Sequence, residues 1–309
     1  MKRGPRRRAR ADRQRGVALL SALLSVALLT LIVVEMTDTT LVGSHLTRNA
    51  GNTIAAQLLA RSAEVVAEGV LIEARRADSG KTNLSQLWAI PLPEMPVADG
   101  AAAVAIEDEQ GKFDLNMVAD PTQAEAVARL FENLDLDPAL VERIATWIRK
   151  DPNGGVLPEA RELCALAIPC EPPGGPLRSL DELALIEGFE PAIIERLRPF
   201  ATAHPGRGRL GVNVNTARDE ALRALGCEVG SDHPPLQGYE TVEDIECEEL
   251  TDPQKFLHLD SDIFSIQARG IVGDTTETVF AVVDRKGGRA RRLSWRERPV
   301  FAVAPIGLP

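Results

Sequence analysis

Four histidines, four cysteines and one dense run of carboxylates are the residues whose types could do chemistry here. His45, His204, His233 and His258 stand far apart, and none completes an HExxH pair or faces an evident nucleophile motif. The chain has no GxSxG elbow, no Walker loop and no Rossmann glycine fingerprint. It therefore reads as a non-enzyme. Cys164 and Cys170 are separated by five residues, Cys227 and Cys247 by nineteen, and no CxxC occurs, which argues against a zinc site. In an oxidising compartment, proximity alone suggests the pairs Cys164–Cys170 and Cys227–Cys247; buried free thiols are the alternative. Glu240, Glu243, Asp244, Glu246, Glu248 and Glu249 crowd one loop. Dense carboxylates can bind calcium through oxygen ligands, but the spacing is not that of an EF-hand, and an acidic run is ordinarily solvated.

One further chemical position lies at the N-terminus. Lys2, Arg3, Arg6, Arg7, Arg8, Arg10, Arg13 and Arg15, against Asp12 alone, form a basic leader that stops at Gly16. An uncharged run, Val17 to Val34, comes immediately after it. At ~1.5 Å per residue it spans roughly 27 Å, close to a hydrocarbon core, and the basic flank holds the N-terminus on the cytoplasmic side. A secretory signal would carry a small-x-small site after its apolar region. Here Glu35-Met36-Thr37-Asp38 stands in that place. The recognisable cut precedes the apolar run, so cleavage would leave that run on the mature protein. Removing the leader's eight basic residues and one acid from 35 Lys+Arg and 45 Asp+Glu leaves a formal charge of −17. An acidic exterior with 4% aromatic residues argues against nucleic acid as a partner.

Gln14-Arg15-Gly16 followed by Val17-Ala18-Leu19-Leu20 resembles the class III leader of type IV pilins and pseudopilins. The resemblance implies cleavage by a prepilin peptidase between Gly16 and Val17, and N-methylation of Val17. Most members carry a glutamate at mature position five; this chain has Ser21 there. Lack of that glutamate is typical of the K-type minor pseudopilin of type II secretion. In other subunits the glutamate is thought to neutralise the N-terminal amine of the preceding subunit, which a subunit with nothing ahead of it would not need. Two internal stretches resemble the same family. Asp108-Glu109-Gln110-Gly111-Lys112-Phe113-Asp114-Leu115-Asn116 is similar to its D-E-x-G-K-x-N/D-L-N signature. Val212-Asn213-Val214-Asn215-Thr216-Ala217 is similar to its V-N-V-N-T-A motif. Without the resemblance, both read as turns and helix caps, with Asp114 or Asn116 capping the segment after the first and Asn215 or Thr216 capping a helix from Arg218 to Leu225. Since calcium sites occur in pseudopilins, the resemblance makes Glu243, Asp244 and Glu246 candidate calcium ligands.

The elements that must position these residues are set by periodicity. Val17 to Arg76 reads as one long helix whose second half turns Ile54, Leu58, Leu59, Val65, Val66, Val70 and Ile72 onto a globular domain, and Asp78-Ser79-Gly80 ends it. Leu84 to Leu92 allows a short helical turn. Ala102 to Glu109 reads as a strand, Gln123–Leu134 and Asp137–Lys150 as amphipathic helices, and Asp151–Pro176 as a Pro- and Gly-rich loop. Asp262–Val272 and Thr276–Arg285 read as a hairpin around Gly273-Asp274, and Arg291–Val303 as a less regular strand. Leu180 to Phe200, broken at Glu187-Gly188-Phe189-Glu190-Pro191, looks like a helix-hairpin-helix. Such a module can grip DNA phosphates, but the flanking acids and Phe189 in place of a second glycine favour a packing role.

The expected fold is α+β: a pilin-like long N-terminal helix on an antiparallel sheet, with a large inserted α-helical domain. The expected boundaries are a cleaved leader at 1–16, a transmembrane part at 17–36, a discontinuous pilin-like domain at 37–118 and 206–309, and an insertion at 119–205. The family implies a subunit anchored in the bacterial inner membrane with its bulk in the periplasm, capping the pseudopilus tip. Its implied partners are I- and J-type minor pseudopilins, the major pseudopilin and prepilin peptidase. The competing reading is a membrane-anchored DNA-binding protein of competence uptake, against which the acidic charge weighs.

Overall fold

A computed structural model describes residues 6–77, 80–90, 92–165, 171–204, 208–230, 233–235 and 237–297, with the side chains of 6–18 and 37–42 outside the description. The first element, α1, runs unbroken over Arg6–Ala77. It continues into the basic leader, ahead of the expected start at Val17. Asp78 and Ser79, expected to end it, lie outside the described residues. Within α1, Leu19–Met36 is long and apolar enough to cross a membrane, with mean hydropathy 2.4 and none of it buried among the described residues.

Five antiparallel strands form the sheet on which the second half of α1 lies: β1 (Leu92–Val97), β2 (Gly100–Asp108), β7 (Ile263–Val272), β8 (Thr275–Asp284) and β9 (Arg291–Glu297), in the order β1-β2-β7-β8-β9. β1 is not expected from the sequence because Pro93 and Pro96 demote a strand pattern; proline is tolerated here because β1 is an edge. The expected strand Arg291–Val303 is observed to Glu297, and 298–303 lie outside the described residues.

The helix meets the sheet through Ala56, Ala60, Ala63, Ala67 and Leu71, at helical spacings of four, three, four and four. Of the apolar face expected there, Val70 packs against this core and Leu59 and Ile72 are half-buried. Ile54, Leu58, Val65 and Val66 are exposed, because the sheet approaches too closely for branched side chains. A Cβ on Gly270 of β7 would lie 2.0 Å from the Ala56 carbonyl oxygen. Small residues on both sides are therefore what let helix and sheet touch. Ala102, Val104, Phe264, Ile266, Ala268, Ala281 and Val283 complete this first core, with Trp88 edge-on to Phe264.

A second, larger core belongs to the chain between β2 and β7. It is built by α2 (Pro121–Asn133), α3 (Ala139–Ile148), α4 (Pro158–Glu162), a 3₁₀ segment Leu180–Leu185, α5 (Pro191–Leu197), α6 (Asp219–Ala224) and α7 (Pro253–Phe256). Phe131, Ile144, Trp147, Leu183, Ile186 and Leu197 sit at its centre. Val212, Val214, Leu222, Phe256 and Leu257 pack into the same core. The apolar segments after residue 205 thus join the helical unit, and the cores divide near residues 112 and 260 instead of at 119 and 205. Two short parallel pairs staple the entry and exit. β3 (Phe113–Asp114) pairs with β4 (Ala201–Thr202), and β5 (Val212–Asn213) with β6 (Leu257–His258).

Candidate functional site

The two family-like motifs, a hundred residues apart in sequence, meet at one buried carboxylate. Asp108 ends β2. Its Oδ1 accepts the Gln110 backbone N–H at 2.8 Å, and its Oδ2 accepts from Thr216 Oγ1 at 2.6 Å, Ser261 Oγ at 2.6 Å and Asn213 Nδ2 at 3.2 Å. Burial pushes its pKa up, against the pull of Ser261, Thr216, Gln110 and Asn213. Asn213 Nδ2 also donates to the Thr82 carbonyl at 3.2 Å. Beside it, fully buried Arg285 donates to Thr82 Oγ1 at 2.7 Å, the Ser261 carbonyl at 3.1 Å and the Leu71 carbonyl at 3.3 Å, with its guanidinium over the Phe264 ring. The end of α1, the ends of β2 and β8 and the helical unit are therefore tied at one point. Neither Asn215 nor Thr216 caps α6, contrary to expectation; its N-cap is Arg218, with no side-chain cap. Asn215 Oδ1 accepts from Tyr239 N at 2.6 Å, and Thr216 is committed to Asp108. Asp114 does cap the short turn after it through Asn116 N, while Asn116 grips both backbone groups of Leu177.

A second ionic set lies beside this lock. Lys112 Nζ stands 2.9 Å from Glu107 Oε2 and 3.2 Å from Glu109 Oε1. Glu109 Oε2 accepts from Thr202 Oγ1 at 2.6 Å and lies 3.5 Å from His204 Nε2. Burial alone would raise Glu109, but Lys112 and His204 hold it well below the ordinary carboxylate range. Burial lifts Asp114 to about 6. Thr82, Ser261 and Arg285 do not stand out in the sequence as site residues, and Asp108 stands out only as the start of a motif. The available signal is a charged residue closing each of two apolar strand patterns.

Gly16 and Val17 lie within α1, and their side chains are outside the description. Ser21 is exposed on the membrane-length segment, its carbonyl accepting from Ser25 Oγ at 2.9 Å. Cys227 and Cys247 form a disulfide that bridges two extended segments. Cys164 is disulfide-bonded, and Cys170 lies outside the described residues. Asp244 Oδ2 accepts the backbone N–H groups of Glu240 and Thr241 in a capping box, and Glu243 accepts from Gln254 at 3.0 Å. Glu246 is exposed. Among the described residues no three Asp, Glu, His or Cys side chains gather as metal ligands. At the helix-hairpin-helix-like turn, Gly188 has φ +93° and a Cβ there would strike Leu140. Arg143 donates to the Glu187 carbonyl at 2.7 Å. The turn is packed on α3, and the backbone N–H groups of Glu187 and Phe189 donate to the Leu163 and Ile186 carbonyls at 2.7 and 3.2 Å, so those two are not available to a phosphate.

A long, membrane-length helix laid on an antiparallel sheet, with a helical unit locked to the far end, is a pilin-like subunit with a large insertion. Residues 111–206 match the family described as type II secretion system (T2SS), protein K. The chain is 30% identical over 227 residues to type II secretion system protein K of Klebsiella pneumoniae, covering 69% of each chain. It is 29% identical over 229 residues to the protein of that description from Pseudomonas aeruginosa, covering 69% of this chain and 68% of that one. Its fold is similar to a chain of the GspK-GspI-GspJ complex from enterotoxigenic Escherichia coli, with TM-score 0.68 and 22% identity, covering 82% of this chain and 99% of that one. The chain belongs to the type II secretion system protein K family, the minor pseudopilins of that system.

Proposed function

We propose that this subunit caps the membrane-distal tip of the pseudopilus and helps initiate its assembly for export of folded proteins across the outer membrane. In this reading prepilin peptidase cuts between Gly16 and Val17 and methylates Val17, the span anchors the chain in the inner membrane, and everything after it is periplasmic. The I- and J-type minor pseudopilins are the immediate neighbours, and the major pseudopilin lies below.

The observation that carries this is where the helical unit is attached. Lys81 pairs with Glu240, Thr82 N donates to the Leu259 carbonyl at 2.7 Å, and Asn213 reaches Thr82. All are just past the end of α1, roughly 60 Å along the helix from the membrane segment at 1.5 Å per residue. Bulk at that end would obstruct a subunit stacking above. Below it, Ile54, Leu58 and Val65 leave an exposed apolar stripe for sibling helices. Ser21 fits the same role, since no preceding amine needs neutralising. The E. coli complex, in which GspK stands with GspI and GspJ, supports the choice of neighbours.

A cysteine placed at Leu58 tests the reading in cells. It is expected to crosslink to an I- or J-type subunit carrying a matched cysteine on its own helix. Crosslinks only between copies of this chain would contradict the proposal.

A further inference from the structure

The face of the sheet turned away from α1 does not close against the helical unit. Between them lies a chamber of about 540 Å³. Glu107, Gln267 and Phe280 line it from the sheet, and Arg178, Arg198 and His204 from the helical unit. The volume falls within the ~300–1,000 Å³ of ligand-binding clefts.

Its charges can be paired off almost completely. Lys112 takes Glu107 and Glu109. Arg198 reaches Asp181 and Glu195, both at 2.9 Å, and Arg296 reaches Asp181 at 2.7 Å. Those pairs use every carboxylate on the wall. Arg178 and Arg218 are left, both exposed; the Arg178 backbone N–H donates to Glu182 Oε2 at 3.2 Å, but neither guanidinium forms an ion pair among the described residues. Two uncommitted guanidinium groups facing one concavity are unusual in a chain with an excess of ten acids. Guanidinium forks hold carboxylates bidentately.

A second feature adjoins them. Ser294, Trp295 and Arg296 of β9 border the chamber, and β9 is the last strand of the sheet. Among the described residues no strand pairs with its outer edge. An open edge presents a row of N–H and C=O groups that an extended segment can join.

We propose that this chamber is a docking site for an extended acidic segment of a partner protein, which lies along β9 as an added strand and sets its carboxylates against Arg178 and Arg218. The backbone of β9 supplies register and the two arginines supply charge selection. The site would operate wherever in the pseudopilus the subunit stands.

The test uses the full chain in detergent micelles and a fluorescein-labelled Glu-Val-Glu-Val-Glu-Val peptide, followed by anisotropy. Saturable binding is expected, with no binding of the Lys-Val repeat. The exposed double variant R178E/R218E should weaken it at least tenfold. R48E, a charge reversal at an exposed position of α1 away from the chamber and β9, should change it by less than threefold. Hydrogen exchange on the unmutated chain should show the peptide protecting amides within Arg291–Glu297, a readout independent of whether a variant folds. The proposal is overturned by absence of binding, or by R48E weakening it as much as the double variant. Competition by free glutamate at equal concentration would also overturn it, because the site would then be an anion site only. So would tighter binding after removal of residues 298–309, which would make the chain's own end the occupant.

Discussion

At the scale of single residues, the fold depends on a few side chains that cannot be exchanged for near neighbours. Arg285 is fully buried and feeds three acceptors from different elements. Arg285→Met keeps much of its volume but leaves those acceptors unpaired, at a cost of about 1–3 kcal/mol for each one left unsatisfied. Urea denaturation of the detergent-solubilised chain should show it, and a midpoint unchanged from the parent would contradict the lock. Gly270→Val places a Cβ 2.0 Å from a backbone oxygen that cannot move without displacing α1, and should cost more than about 2 kcal/mol by the same measurement.

Asp114 sets a pH dependence of definite sign. Burial raises its pKa from 3.8 to about 6, so between those values the folded state holds a proton the unfolded state has lost. Stability from this group therefore falls as pH rises through that window, by up to about 3 kcal/mol. Asp114→Asn keeps the oxygen that accepts from Asn116 N and removes the titration. The stability advantage of this variant should grow from pH 4.5 to pH 7.5. A difference between the two proteins that stays flat with pH would rule out the buried carboxyl as the cause.

At the scale of elements, the strongest periodic segments were legible in the sequence. The membrane-length apolar segment, the strand ending at Asp108, α2, α3 and the β7–β8 hairpin all appear within a few residues of where hydropathy places them. The misreadings have physical causes. The buried face of α1 is an alanine stripe, and hydropathy points to the bulkier Ile54, Leu58 and Val65, which remain outside. The cap expected at Asn215 or Thr216 did not form because a buried carboxylate from a distant strand offered Thr216 a better partner. No local rule can see a hydrogen bond across 108 residues. The lock itself was half visible, as two motifs without a reason to meet.

The exposed stripe gives an element-scale prediction. Leu58→Lys together with Val65→Lys alters residues that touch little within this chain, so stability should change by less than ~0.5 kcal/mol. Co-purification of the I- and J-type subunits should nevertheless drop severalfold. Loss of stability without loss of partners would show the stripe to be structural.

At the scale of the whole molecule, two cores tied at one end of a membrane-length helix fit the proposed tip subunit, which would start an assembly without extending it upward. The central claim is that this chain joins its siblings once, at the top. Light scattering on the detergent-solubilised mature chain mixed with I- and J-type minor pseudopilins measures this directly. The account predicts a discrete ternary complex containing one copy of this chain. Long filaments formed by this chain alone, in the absence of those partners, would contradict it.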